Sequence, residues 1–244
     1  MAGKAYYSIV HGHRIYYRVY GSGSPMILLH GFGRSGSTWQ HILPYLQNYQ
    51  LVVVDIPGYG HSRFIGQWRF REVTLLLETW LHKLKIQPVT LIGHSLGGGI
   101  AIHLAALTPE RIQRLILVNA VGMPLQIDLP TLLYRSLLSS LQNVKKNNRV
   151  DFIIDITRSK PHFLWKSLLE VINIDLRAEL AGITIPTLII WGERDLLIPL
   201  SDGHALRDSL SHAFFASLPD SGHRPHFTEP EKFSRLVVEF SNSN

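Results

Sequence analysis

The sequence contains no cysteine among its 244 residues. Disulfides, thiolate metal ligands and cysteine nucleophiles are therefore excluded, although this absence does not identify the cellular compartment. Charged residues are also scarce, at 17% against 45% hydrophobic residues, which argues against disorder and permits a sizeable buried core. No apolar run approaches the roughly 20 residues that cross a bilayer, so we expect no integral membrane association.

Acidic residues are fewer than basic ones, and the formal net charge is +6. This balance favours an anionic partner, or it belongs to an enzyme that is simply basic. No dense Lys/Arg run alternates with aromatic residues, so we expect no nucleic-acid partner. The N-terminal segment MAGKAYYSIVHGHR lacks the long apolar stretch of a secretory signal, and we therefore predict a cytoplasmic protein.

Short apolar runs rich in β-branched residues alternate with longer helical patterns, which predicts an α/β fold with a mostly parallel sheet. The runs are Met26–His30, Leu51–Asp55, Val89–Gly93, Leu115–Asn119, Thr187–Trp191 and Phe214–Leu218. Two alternating segments, Tyr6–Val10 and Arg14–Tyr20, predict an antiparallel opening hairpin and bring the sheet to eight strands. Flanking helices are predicted at Trp39–Leu46, Phe70–Leu84, Leu96–Leu107, Ser201–Leu210 and Pro230–Phe240.

One long stretch interrupts the alternation of strands and helices. Residues 121–181 contain no run that predicts a central strand, only an amphipathic helical pattern. We predict that they form a helical cap inserted into an α/β core made of residues 1–120 and 182–244. An independent second domain is the alternative, but about 60 residues form only a marginal core by themselves.

The most informative segment is Thr90–Ile100, which reads as a strand, then G-x-S-x-G, then a helix. Such a sharp turn strains the backbone of Ser95 and raises its hydroxyl above the sheet, as a nucleophile requires. Gly93 and Gly97 remove side chains that would collide in the turn. A bare G-x-S-x-G also occurs in ordinary glycine-rich turns, but the flanking strand and helix favour the catalytic interpretation.

Two further loops carry related motifs. Gly31-Phe32-Gly33 follows the run that ends at His30, and DIPGYGHS, residues 55–62, follows the next run. Together with GHSLGG, these motifs resemble the α/β-hydrolase family, and the resemblance spans nearly the whole chain. It implies that the backbone N–H groups of Phe32 and Leu96 bind the negative oxygen of a tetrahedral intermediate. It also implies that His30 braces its loop and does not carry protons.

The acid of a catalytic triad is expected after a strand near the end of the chain. A serine hydroxyl needs a base to take its proton, and a buried carboxylate must orient that base. Asp195 lies in GERD after the Thr187–Trp191 run and resembles the acid loop of the family. Glu193 is the alternative. Some family members carry the acid after the preceding strand, where this chain has Asn119.

The base is expected in the loop after the last strand. His223 in DSGH follows Phe214–Leu218 and matches the terminal Gly-His of the family, while His226 is the alternative base. These two histidines have no third ligand nearby in the sequence, so we expect neither a metal nor a cofactor.

This triad implies hydrolysis of a carboxylic ester through an acyl-enzyme. Apolar side chains of the cap, with Trp39 and Phe32 near the mouth, favour a small or medium apolar acyl substrate, unless they only pack the cap. In the cap we point to Phe152, Phe163 and Trp165. The alternatives are a carbon–carbon bond hydrolase or related lyase of the same fold, and a non-catalytic ligand receptor.

The predicted cap also concentrates positive charge. Between residues 131 and 168, seven basic residues face two acidic ones: Arg135, Lys145, Lys146, Arg149, Arg158, Lys160 and Lys166 against Asp151 and Asp155. The sequence resembles esterases that remove a methyl group from acyl chains carried on acyl carrier protein, which is acidic. An acyl carrier protein is therefore a candidate partner, and a solvated helix face is the alternative.

Overall fold

A computed structural model describes residues 3–86, 88–125, 127–142 and 161–243. Its strands form one eight-stranded sheet in the order β1-β2-β4-β3-β5-β6-β7-β8. β1 and β2 form an antiparallel hairpin, β2 is antiparallel to β4, and the remaining neighbours are parallel. The prediction of a mostly parallel eight-stranded sheet is confirmed. The strands are β1 Lys4–Val10, β2 His13–Tyr20, β3 Ser24–Leu29, β4 Tyr49–Val54, β5 Val89–His94, β6 Ile112–Val118, β7 Thr187–Gly192 and β8 Ala213–Leu218.

Helices cover both faces of the sheet. In the described ranges they are α1 Phe70–Lys83, α2 Leu96–Leu107, α3 Leu129–Gln142, α4 Pro161–Ile172, α5 Arg177–Ala181, α6 Leu200–Asp208, α7 Pro225–Thr228 and α8 Pro230–Asn242. Across these same ranges, no helix combines the length and the apolar character needed to cross a membrane.

The predicted helix at Trp39–Leu46 is wrong. The structure has two short 3-10 segments instead, at Gly36–Trp39 and Leu43–Tyr45. Pro44 falls inside the predicted helix, where it lacks the N–H that an α-helix needs and its ring clashes with the preceding turn. The apolar spacing reflects packing on the sheet, not a continuous helix.

The core has two layers, one on each face of the sheet. On one face, α1 and α2 bury apolar residues such as Leu77, Trp80 and Ile100. On the other face, α8 buries Phe233 and Val237 against the sheet. Because the central strands are buried on both faces, they read as continuous apolar runs. Each fully buried large side chain contributes about 1.5–3 kcal/mol, so the sheet is a rigid base for the loops at its edge.

The predicted cap is described in part, as α3, α4 and α5. Two backbone hydrogen bonds join the segment that enters this region to the segment that leaves it. They run from Leu125 N–H to the Ile172 carbonyl (3.2 Å) and from Leu176 N–H to the Gly122 carbonyl (2.8 Å). The limits 121–181 stay a prediction. Several residues singled out from the sequence lie outside the described residues: Lys145, Lys146, Arg149, Asp151, Phe152, Asp155, Arg158 and Lys160.

Candidate active site

Ser95 occupies the turn between β5 and α2 in a strained conformation, with φ 53° and ψ −117°. Few residues other than glycine adopt positive φ, and such strain persists only where surrounding contacts enforce it. Here the Ser95 N–H donates to the Val118 carbonyl (3.0 Å). Its own carbonyl accepts from the N–H groups of Gly98 (2.9 Å) and Val121 (3.2 Å). These bonds hold the turn predicted from G-x-S-x-G.

Three glycines around Ser95 are required by close packing, two of them against backbone and one against a side chain. A Cβ atom at Gly93 would collide with the Gly97 carbonyl, and one at Gly97 would collide with the Leu29 carbonyl. A Cβ atom at Gly98 would overlap the side chain of Ala120. The turn therefore lies directly against β3 and the end of β6, which fixes the position of the serine relative to the sheet.

The loop after β3 approaches the serine turn from the other side. A Cβ atom at Gly31 would lie only 3.2 Å from Ser95 Cβ, and Gly33 turns the chain with φ 66°. In the part of the chain that the structure describes, the N–H groups of Phe32 and Leu96 donate to no backbone carbonyl. Leu96 begins a helix of 12 residues, whose N-terminal dipole favours negative charge nearby.

His30 and Asp55 brace these loops. His30 Nε2 accepts from the Ile56 N–H (3.0 Å), and its Nδ1 lies 2.8 Å from the Gly31 carbonyl. Asp55 accepts from the N–H groups of Gly36 (2.7 Å) and His61 (2.8 Å). Burial favours a higher pKa for Asp55, but the hydrogen bonds from His61 and Gly36 hold the pKa below its ordinary value.

Asp195 and His223 are brought into direct contact by the loops after β7 and β8. His223 Nδ1 lies 2.7 Å from Asp195 Oδ2, which also accepts from Asn119 Nδ2 at 2.7 Å. The second carboxylate oxygen, Oδ1, accepts from the backbone N–H groups of Leu197 (2.7 Å) and Ile198 (3.1 Å). The Asp195 side chain is fully buried, and each of its oxygens receives two donors.

The alternative acid and base are engaged elsewhere. Glu193 Oε1 accepts from the Ser217 hydroxyl at 2.6 Å in an exposed position. His226 is fully buried, and its Nε2 lies 3.3 Å from the Thr38 hydroxyl oxygen. Neither residue takes the place that Asp195 and His223 occupy.

Asn119 has a structural role that the sequence interpretation missed. Its Nδ2 donates to Asp195, and its Oδ1 accepts from the Gly192 N–H at 3.1 Å. The side chain thus ties the end of β6 to the start of the acid loop. The sequence does mark Asn119, because it is a polar residue at the end of an otherwise apolar strand. The sequence interpretation used it only to exclude a catalytic acid at that strand end.

We expected Trp39 near the mouth of the site, but the structure places it elsewhere. Its side chain is fully buried, its ring centre is 4.3 Å from that of His226, and it also packs against Phe233. The 3-10 segment directs Trp39 inward beneath the loops. We therefore assign it a packing role and withdraw it as a substrate contact.

A cluster of buried imidazoles lies behind His223. The ring of His94 is 4.9 Å from that of His223 and 4.6 Å from that of His226, and His94 Nε2 donates to the His223 carbonyl at 2.8 Å. Burial, with the neighbouring positive charges, lowers the pKa of His94 and of His226 well below the ordinary value. Among the described residues, no group of three metal-ligating side chains is arranged to hold an ion.

This cluster predicts acid lability. Histidines with a lowered folded pKa stay neutral in the native state but bind protons in the unfolded chain near pH 6.5 and below. The contribution of these two histidines to the free energy of unfolding should therefore be constant well above pH 6.5. Below that value, each of His94 and His226 should remove about 1.4 kcal/mol per pH unit.

Urea unfolding between pH 7.5 and 5.5 measures this slope. His226→Phe should reduce the slope by about half of the cluster's contribution. A slope that His226→Phe does not alter would contradict the assignment.

The cap contacts the candidate site through Tyr59. The Tyr59 hydroxyl donates to Ser167 Oγ at 2.7 Å, and this serine donates to the Phe163 carbonyl at 2.6 Å, all in buried positions. The ring of Tyr59 also lies 6.2 Å from that of Phe32. Of the predicted apolar residues of the cap, Phe163 is buried, whereas Trp165 is 51% exposed and lies largely in solvent.

The sheet order and the strained strand–turn–helix unit are typical of α/β proteins that carry their sites at the carboxyl edge of a parallel sheet. A family model described as alpha/beta hydrolase fold matches residues 24–139 and 124–230. The chain therefore belongs to the alpha/beta hydrolase family, and the protein is a hydrolase.

Individual relatives show the same similarity. The pimeloyl-acyl-carrier-protein methyl ester esterase of Photobacterium profundum is 30% identical over 251 residues, covering 90% of this chain and 95% of the relative. A bromoperoxidase structure from Bacillus anthracis covers 98% of this chain and 100% of its own, with TM-score 0.89 at 22% identity. The esterase EaEST from Exiguobacterium antarcticum covers 99% of this chain and 100% of its own, with TM-score 0.87 at 24% identity. At these identities the two structures show a shared fold only.

Proposed function

We propose that the protein is a serine carboxylesterase in which Ser95 is the nucleophile, His223 the base and Asp195 the acid. The observation that carries this proposal is the buried 2.7 Å contact between His223 and Asp195, in loops at the same sheet edge as the strained Ser95 turn. Parallel strands β5, β7 and β8 all end at that edge, so their following loops converge.

The proposed reaction is acyl transfer to water. Ser95 Oγ forms a bond to the ester carbonyl carbon while its proton passes to His223 Nε2. The negative oxygen of the tetrahedral intermediate accepts from the N–H groups of Phe32 and Leu96. The carbon–oxygen bond to the alcohol breaks, and the alcohol leaves with the proton from His223. A water molecule, deprotonated by the same imidazole, then attacks the acyl-enzyme and releases the acid.

The Asp195 carboxylate orients His223 and stabilises the imidazolium that forms in each half of the reaction. Its remaining acceptor positions are filled by Asn119, Leu197 and Ile198, which hold the carboxylate in one orientation. His94 holds the His223 backbone from the opposite side through its carbonyl.

Within this class we propose a small or medium apolar acyl substrate, and a methyl ester carried on acyl carrier protein as the particular form. The support is the similarity to the Photobacterium profundum esterase, whose name specifies such an ester, and the positive charge of residues 131–168. A basic surface attracts an acidic carrier protein and raises the rate of encounter.

Two measurements test this proposal. A panel of p-nitrophenyl esters of graded chain length, run on wild type and Ser95→Ala, should show serine-dependent hydrolysis. The methyl ester of an acyl chain held on acyl carrier protein as a thioester should be hydrolysed with a higher kcat/KM than the same methyl ester without the carrier. Neutralising Lys145, Lys146 and Arg149 together should abolish that preference but spare the free ester. Equal rates on the two forms would remove the carrier protein from the proposal.

A further inference from the structure

Two arginines directly follow the two functional turns of the candidate site. Arg34 comes two residues after Phe32, and its N–H donates to the Gly31 carbonyl at 3.3 Å, so the same turn positions both residues. Arg34 is 93% buried, since only 7% of its surface is exposed. Arg224 comes immediately after His223. Both cations are thus on loops that carry a proposed catalytic group, the Phe32 N–H in one and the His223 imidazole in the other.

The loops that carry these arginines pack against each other. The 3-10 segment Gly36–Trp39 contacts α7 through the Thr38 hydroxyl, which lies 3.3 Å from His226 Nε2. Next to this contact, the ring centres of His41 and Phe227 are 4.6 Å apart, and the Arg224 guanidinium lies 5.1 Å from the centre of the Phe227 ring. The charge of Arg34 acts on Arg224 and on His226 across these packed loops, which places both arginines in one wall beside His223.

This wall is positively charged. In the described ranges, no carboxylate forms an ion pair with Arg224, whose recorded side-chain contact is the Phe227 ring. Burial and the nearby charge of Arg34 lower the pKa of Arg224 to about 10, so it remains a cation at neutral pH. The charges that act on the neighbouring His226 are likewise all positive. A partly buried cation without an acidic partner is unfavourable unless a ligand supplies the negative charge.

We propose that Arg34 and Arg224 form a subsite for a carboxylate on the acyl part of the substrate, a few carbons from the scissile carbonyl. Arginine suits this role because its planar guanidinium binds carboxylates with two parallel hydrogen bonds. The bound carboxylate would lie close to the scissile carbonyl, because Arg34 is two residues from Phe32 and Arg224 directly follows His223. Each residue spans at most about 3.6 Å. The inference rests on the proposed ester hydrolysis alone and names a substrate class that competes with the apolar and carrier-bound esters above: a monoester of a short dicarboxylic acid.

The test compares monomethyl adipate with methyl hexanoate, which have the same chain length and differ in the terminal charge. Methanol release, followed by NMR at low ionic strength, gives kcat/KM for each ester. Wild type should prefer the anionic ester by at least about tenfold, because hydrogen bonds to charged groups are among the stronger ones. Arg224→Met and Arg34→Met should each reduce this preference about tenfold, mainly through KM of the anionic ester.

The matched control is Arg235→Met on the exposed face of α8, which removes the same charge far from the wall and should preserve the preference. If Arg224→Met does not fold, Arg224→Lys keeps the charge without the planar fork and should retain only part of the preference. Equal kcat/KM for the two esters in wild type, or an unchanged preference in both arginine variants, would overturn the subsite.

A binding measurement separates failure of the subsite from failure of the proposed function. If wild type cleaves neither ester faster than Ser95→Ala, the esterase proposal fails. Calorimetry of monomethyl adipate and methyl hexanoate with Ser95→Ala protein needs no turnover. The Ser95→Ala protein should bind monomethyl adipate more tightly than methyl hexanoate. The double variant with Arg224→Met should bind monomethyl adipate about tenfold more weakly. The absence of any difference in binding would remove the subsite as well.

Discussion

Ser95→Ala is expected to lower kcat for every ester that the wild type cleaves by at least about 10³-fold, because no other hydroxyl replaces the nucleophile. The substitution removes only Oγ. The backbone bonds that hold the turn, from Ser95 N–H to Val118 and from Gly98 and Val121 to the Ser95 carbonyl, remain. The melting temperature should therefore stay close to that of the wild type, and the loss should appear in kcat.

The matched control is Ser209→Ala, at the end of α6, where the hydroxyl donates to the Ala205 carbonyl. This variant removes the same atom outside the site and should keep wild-type kcat. Burst kinetics on p-nitrophenyl esters would add a second readout, since stoichiometric release of the alcohol requires an acyl-enzyme. Retention of more than a tenth of the wild-type kcat by Ser95→Ala would refute the proposed nucleophile.

Asp195→Asn is expected to lower kcat by about 10⁴-fold while KM changes little, because the tautomer of the base is set by this carboxylate. The structure adds a second reason. Oδ2 receives donors from His223 and Asn119, and Oδ1 receives donors from Leu197 and Ile198. An amide NH₂ group therefore faces two donors whichever way it is turned, so both hydrogen bonds on that side are lost.

Glu193→Gln is the control for this prediction. It neutralises a carboxylate two residues earlier on the same loop, where Oε1 accepts from the Ser217 hydroxyl in an exposed position. Its kcat should lie within about twofold of the wild type, because no buried donor loses its acceptor. If Glu193→Gln lowers kcat more than Asp195→Asn does, Glu193 and not Asp195 is the acid of the triad. Thermal unfolding of both variants separates loss of catalysis from loss of fold.

Much of the architecture was predictable from local sequence. The predicted helix Leu96–Leu107 has the limits that the structure shows, and the predicted run Val89–Gly93 falls within β5. Both segments are buried and strongly patterned, so local preference and tertiary packing agree. The predicted helix at Trp39–Leu46 failed because its apolar residues are spaced by contact with the sheet, and Pro44 prevents a regular helix.

The candidate site was predictable only in part. The positions of Ser95, Asp195 and His223 follow from motifs at strand ends, because parallel strands direct their following loops to one edge. The polar end of an apolar strand marked the position of Asn119, but its partners and the burial of Trp39 depend on contacts with distant segments, which the sequence does not show. The Arg34–Arg224 wall was missed for the same reason, because nearly 200 residues separate two side chains that lie on packed loops.

The sequence by itself determined the strands, the glycine turn around Ser95 and the order in which serine, acid and histidine follow one another. Those features depend on apolar periodicity and on backbone conformations that glycine permits, both of which act over a few residues. Only the tertiary structure decided that Asp195, and not Glu193, contacts His223, and that Asn119 holds that carboxylate. Such choices depend on the direction in which a loop presents each side chain, and packing against distant parts of the chain sets that direction.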